Sequence, residues 1–142
     1  MKTQIILCLL LLSGIASGQI HWEKTSEWTL YGYQGSRMFK IPLDSLNSFD
    51  TLKLNQDTVS SYLKNASVLD SNDQGVWMGG YLTTCRLDGE LRKIDFSNYG
   101  NFFYDENSKT YYQLSPSKSE DWNSYLQNCL LKLARKKIAN SH

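Results

Sequence analysis

The chain has 142 residues, of which 41% are apolar, 20% charged and 13% aromatic, a composition that excludes disordered, collagen-like and coiled-coil proteins. Lys plus Arg total 15 against 14 Asp plus Glu, so the broad positive field that sequence-independent nucleic-acid binding requires is missing and no nucleic-acid partner is expected. One small globular domain is the expectation for this length.

Residues 1–18 read as a separate unit. Lys2 gives a positive start, Ile5 to Leu12 is an unbroken apolar run, and Ala16-Ser17-Gly18 supplies small residues before Gln19. That pattern is a cleavable secretory signal. The run is eight residues long, whereas a spanning helix needs about 20 apolar residues. Cys8 lies inside the run and Gln19 follows the cut, so lipid anchoring through a Cys at the new N-terminus is not expected. The mature domain is then 19–142, exported to a periplasmic or extracellular site and not inserted in a membrane. Removing Lys2 with the signal leaves 14 basic and 14 acidic residues.

Glu27 to Tyr33 and Arg37 to Ile41 are short β-like runs separated by Gln34-Gly35-Ser36, which suits a hairpin. Leu43 to Leu54 fits neither helical nor strand period and is expected to be a loop, with a short strand at Thr51 to Leu54. Asn55 or Asp57 can cap a helix over 57–67, with Val59, Tyr62, Leu63 and Ala66 at helical spacing. Asp70 to Gly75 is a turn-rich break. Val76 to Leu87 then reads as a strand ended by Asp88-Gly89, a strong hairpin dipeptide, with Leu91 to Phe96 as its return. Phe102 to Asp105 pairs with Thr110 to Leu114 across a four-residue turn, completing a four-stranded meander.

The last element has the clearest period. Trp122, Tyr125, Leu126, Cys129, Leu130 and Leu133 lie on one face of an amphipathic helix, started near Ser115-Pro116 or Ser119. Glu120 and Asp121 suit its positive end, and Arg135, Lys136 and Lys137 its negative end. The order predicts an α+β fold: an antiparallel sheet, made of an N-terminal hairpin and a meander of about four strands, with the short helix and the long C-terminal helix packed on one face.

The chemistry is limited by what is missing. The only histidines are His21, near the new N-terminus, and His142, the last residue, so no ordered base is expected for a triad or a Cys–His pair. No H-E-x-x-H, C-x-x-C or G-x-S-x-G motif occurs. Asp70 to Gly75 resembles the first half of a calcium loop, but Gln74 stands at the fifth position and Tyr81 at the twelfth, where the bidentate Glu belongs. A solvated turn is the plainer reading. Neither metal nor cofactor is expected, and no residue is assigned a catalytic role. Asn65-Ala66-Ser67 is a formal glycosylation sequon with meaning only in a eukaryotic secretory route.

Cys85 and Cys129 both fall on apolar stripes and would meet an oxidising compartment, so a disulfide between them is open. Closing a loop of about 45 residues would add roughly 4 kcal/mol in the chain-entropy picture. Two inert buried thiols are the alternative.

Aromatic residues are in surplus: 4 Trp, 9 Tyr and 5 Phe, all after position 18. Phe102-Phe103-Tyr104 and Tyr111-Tyr112 place rings on adjacent strand positions, which point to opposite faces, so helices on one side of the sheet cannot cover them all. Trp77, Tyr81, Tyr104, Tyr111 and Tyr112 are therefore the candidate binding residues. Their alternative role is to strengthen cross-strand pairs.

Three functions follow as expectations. The first is an exported, non-enzymatic protein that binds another protein through an aromatic sheet face. Its size and export route resemble those of small exported bacterial immunity or inhibitor proteins, a resemblance of length and route alone. The second is a carbohydrate-binding module, which needs coplanar exposed rings. The third is a small hydrolase using two of Asp88, Glu90, Asp95, Asp105 and Glu106, none selected by spacing.

Overall fold

The computed structural model describes residues 20–33, 41–69, 80–98 and 101–141. Residues 1–18, read from sequence as an export signal, the Asp70 to Gly75 segment expected to turn, Trp77 and His142 lie outside the described residues.

The chain enters through a single 3-10 turn, Trp22–Lys24, and strand β1, Ser26–Tyr31. A second 3-10 segment, Leu43–Ser48, leads to β2, Thr51–Lys53. Helix α1, Gln56–Leu63, is followed by the two-residue strand β3, Ser67–Val68. The strands β4 (Gly80–Leu87), β5 (Glu90–Ser97), β6 (Phe102–Asp105) and β7 (Thr110–Gln113) form the expected meander, and α2 spans Pro116–Ala139. The result is α+β: among the described residues, one seven-stranded sheet in the order β2-β1-β4-β5-β6-β7-β3 with every neighbouring pair antiparallel.

Local chemistry accounts for several boundaries. Asn55 caps α1, its side-chain oxygen accepting from the Thr58 backbone N–H at 2.9 Å. Asp88 and Gly89 both have positive φ, 51° and 80°, the conformation that a two-residue hairpin turn with matching twist demands. Pro116 occupies the first helical position of α2, where its absent N–H costs nothing. Glu27 has a φ of 52° at an irregularity where the β1–β4 register shifts between Ser26 and Thr29, a β-bulge that turns the strand.

One expectation is corrected, and another falls outside the described residues. Among the described residues β1 is flanked by β2 and β4, and the Arg37 to Ile41 run expected to pair with it is described only at Ile41. Residues 37–40 themselves lie outside the described set. Helix α1 stops at Leu63 rather than continuing to residue 67, because Ser67 and Val68 pair with Gln113 and Tyr112 of β7. Ladder bonds replace helical ones there, and Ser and Val lose little by it.

The connections position the core. The eight residues of α1 carry the chain from β2 at one edge of the sheet to β3 at the other. Helix α2 returns over the same face and packs on β1 and β2. Antiparallel partners share a face, so the register places Leu30, Tyr81, Cys85, Ile94, Phe96, Phe103 and Tyr112 on the helix-covered inner side. They form one buried cluster with Val59, Leu63, Trp122, Leu126, Cys129, Leu130 and Leu133 of the helices. Trp22 closes that cluster, its ring edge-on to both Phe103 and Tyr112 with centroids 5.0 Å away.

The two cysteines are separate buried thiols. Cys85 lies beside Asp105 and Arg92, at the hairpin-turn end of the sheet. Cys129 has Tyr125 and Lys132 as its polar neighbours. Helix α2 meets β4 at the other end, where Tyr81 Oη donates to the Asn123 carbonyl at 3.4 Å. The two thiols thus belong to one core without a bond between them.

Candidate functional site

Strand pairing sorts the candidate aromatics onto two sides. In the β6–β7 ladder, Phe103 faces Tyr112 and Tyr104 faces Tyr111. The Phe103–Tyr112 pair stacks at 5.3 Å on the inner face, against Trp22. The Tyr104–Tyr111 pair lies on the outer face, opposite the helices, with ring centroids 4.6 Å apart and planes inclined by 42°. Both outer rings are partly exposed.

The expectation of a single five-residue binding face is therefore revised. Tyr81 and Tyr112 keep only 7% and 5% of their surface and belong to the core. Burial holds the phenol protons of both above the usual tyrosine range. Tyr104 is also held above that range, first by desolvation, then by the phenol of Tyr111 and the carboxylates of Glu106, Asp105 and Asp95. Trp77 lies outside the described residues.

Beside the tyrosine pair, the outer face carries charge that is shielded from water. Asp95 is the cross-strand partner of Tyr104. Lys93, two residues earlier on β5, donates to Glu106 Oε1 at 2.7 Å and reaches Asp95 Oδ2 at 3.5 Å. Lys93 is 1% exposed and Asp95 0%. Burial raises the Asp95 carboxyl to about 8; the Lys93 charge opposes that rise, and the neighbouring Glu106 carboxylate reinforces it. Near neutral pH, Asp95 then keeps its proton. Among the described residues, Asp95 Oδ1 has no hydrogen-bond partner.

A second ionic group sits on the inner face at the hairpin-turn end. Arg92 donates to Asp105 and, at 3.2 Å, to Glu90. Asp105, 0% exposed, also accepts from Ser108 Oγ at 2.7 Å and from the Asn107 backbone N–H at 3.1 Å. This network ties the β6–β7 turn to β5. Beside it, burial and the Asp105 charge push the Cys85 thiol up to about 12, so almost no thiolate is present at neutral pH.

The acids considered for hydrolysis are thus divided between the two sides of the sheet. Asp95 and Glu106 gather around Lys93, and Asp105 and Glu90 around Arg92. Asp88 lies in the β4–β5 turn. Among the described residues, none of these acids lines the grooves beside α2 formed with Gly32 and Asp50, with Phe49 and Thr51, or with Tyr81 and Asn98. Burial of Lys93 and Asp95 has no local signature in the sequence, because alternation along β5 marks their side of the strand as polar and therefore as solvated.

Among the described residues, no helix is long and apolar enough to cross a membrane, and no group of three or more His, Cys, Asp or Glu is placed to hold a metal ion. Compared with known protein families, curated proteins and solved structures, the chain has no match.

Proposed function

We propose that this is an exported, non-enzymatic binding protein that engages another protein through the outer face of the β6–β7 hairpin, with Tyr104 and Tyr111 as its anchors. The observation that carries the reading is the position of that ring pair, partly exposed and held by register on the face that neither helix covers. Tyrosine gives large, rigid contact area with a polar tip at low entropic cost, which is why it recurs at binding hot spots. The neighbouring strand is stiff, being buried and ion-paired through Lys93, so the rings are offered on a fixed support.

The geometry favours a protein over a carbohydrate at this face. A sugar ring stacks on coplanar aromatic platforms, and planes inclined by 42° do not make one.

The test uses a photo-crosslinking residue at position 111 in the exported protein, in its native compartment, beside a Tyr104→Ser/Tyr111→Ser variant in a matched capture experiment. The expected result is a discrete crosslinked partner whose capture is lost in the double variant. Capture of identical partners by both forms would end this reading.

A further inference from the structure

We propose a second, separate binding site: the groove between the first half of α2 and the adjoining ends of β4, β5 and β6 takes a neutral, hydroxyl-rich small molecule, a sugar unit, held by side-chain amides. The groove has a volume of about 460 Å³, within the size range of small-molecule sites. Its helical wall is Ser119, Glu120, Asn123, Ser124 and Gln127, residues that recur one turn apart and so share one face of α2. The opposite wall is Tyr81, Asn98 and Asn101.

The chemistry of those walls selects the ligand class. A side-chain amide offers donors and an acceptor from one plane, and three Asn and one Gln converge here with two serine hydroxyls. Adjacent hydroxyls of a sugar each donate and accept, which is the complement of such an array. Among the described lining residues there is no Lys or Arg, and Glu120 contributes a carboxylate, so phosphate, sulfate and carboxylate ligands are disfavoured. Apart from Tyr81, the described lining side chains are polar, which disfavours acyl chains and apolar rings that would leave those groups unpaired.

Two observations indicate a formed site rather than a chance hollow. The Asn98 Oδ1 atom is shielded from water and has no donor among the described residues; rotation of that amide toward a ligand hydroxyl would supply one. The walls are also fixed to each other. Tyr81 Oη donates to the Asn123 carbonyl at 3.4 Å, which holds α2 on β4. The Asn101 carbonyl accepts from the Leu114 N–H at 2.5 Å, and the Asn101 side chain donates back to the Leu114 carbonyl at 3.5 Å. The spacing of the two walls is therefore set before a ligand arrives. Because the groove is on the helix side of the sheet, this inference stands apart from the Tyr104–Tyr111 proposal.

The test is a titration of the 15N-labelled protein with glucose, N-acetylglucosamine and the linear trimer of each, with inorganic phosphate as the control anion. At least one sugar is expected to shift the side-chain amide signals of Asn98, Asn123 and Gln127 in a saturable way while phosphate does not. The Ser124→Ala/Gln127→Ala variant changes two exposed helix residues and should leave the remaining spectrum in place. It is expected to bind that sugar about tenfold more weakly or worse, the loss of one or two hydrogen bonds. The proposal is overturned if no sugar in the series moves these signals at millimolar concentration, if phosphate moves them instead, or if the double variant binds unchanged.

Discussion

Lys93 and Asp95 stand two positions apart on one strand, point to the same side of the sheet and approach to 3.5 Å, and neither keeps more than 1% of its surface in water. A buried carboxyl beside a lysine that already has Glu106 at 2.7 Å is more stable with its proton than without it. The cluster is therefore neutral with Asp95 protonated, and carries an excess negative charge once Asp95 ionises.

The stability of the fold should depend on pH accordingly. In the unfolded chain Asp95 ionises around its ordinary value of 3.8, and in the fold it holds its proton to about 8. Between those values the native state binds more protons than the unfolded one, so the Asp95 contribution is full below the lower value and declines as pH rises through the window. The decline reaches at most about 1.4 kcal/mol per pH unit. Asp95→Asn should match the wild type near the acidic end of the window and exceed it near the alkaline end. Urea denaturation across the window measures this, and parallel curves for the two proteins would contradict it.

Truncating the two neighbouring tyrosines of β7 should have opposite consequences. Tyr112→Ala removes an inner ring that stacks on Phe103 and meets Trp22, at a cost of about 3–5 kcal/mol. Tyr111→Ala removes a partly exposed outer ring and one aromatic pair, at a cost of about 1 kcal/mol. Denaturant midpoints should separate the variants clearly; equal losses would mean that the side of the sheet is wrongly assigned.

Gly89→Ala isolates backbone strain. A Cβ at that position meets nothing within 4 Å, yet φ is +80°, which side chains rarely adopt. The expected loss is about 1 kcal/mol, arising from conformation rather than from any clash. A neutral result by thermal denaturation would show that the hairpin turn relaxes into another type.

Cys85 and Cys129 should be unreactive in the native state. Both are buried thiols, and burial raises both above the usual thiol range, Cys85 to about 12. A thiol-specific disulfide reagent should react with neither at neutral pH and with both after denaturation. Release of no thiol in denaturant, restored by a reductant, would instead establish the bridge that the sequence left open.

The local code of this chain was legible where short-range physics decides the outcome. Asn55 as a cap, Asp88-Gly89 as a hairpin turn and the Trp122 to Leu133 stripe each depend on groups within a few residues, and each sits in the fold as expected. The α+β class follows from their order. The neighbours of β1, the pairing of Ser67 and Val68 with β7, and the free state of Cys85 and Cys129 depend on contacts between distant segments, which local periodicity does not encode.

The binding surfaces divide in the same way. Alternation requires that Tyr111 and Tyr112 face opposite sides, and that much is written in the order of residues. Which of them meets Trp22 and which meets Tyr104 is set by the path of the helices over the sheet. Burial of Lys93 and Asp95, and convergence of Asn98, Asn101, Asn123 and Gln127 on one groove, likewise arise only once the sheet has closed its register and α2 has docked. Side-chain direction is a property of the strand, whereas the dielectric and the company that side chain keeps belong to the packed whole.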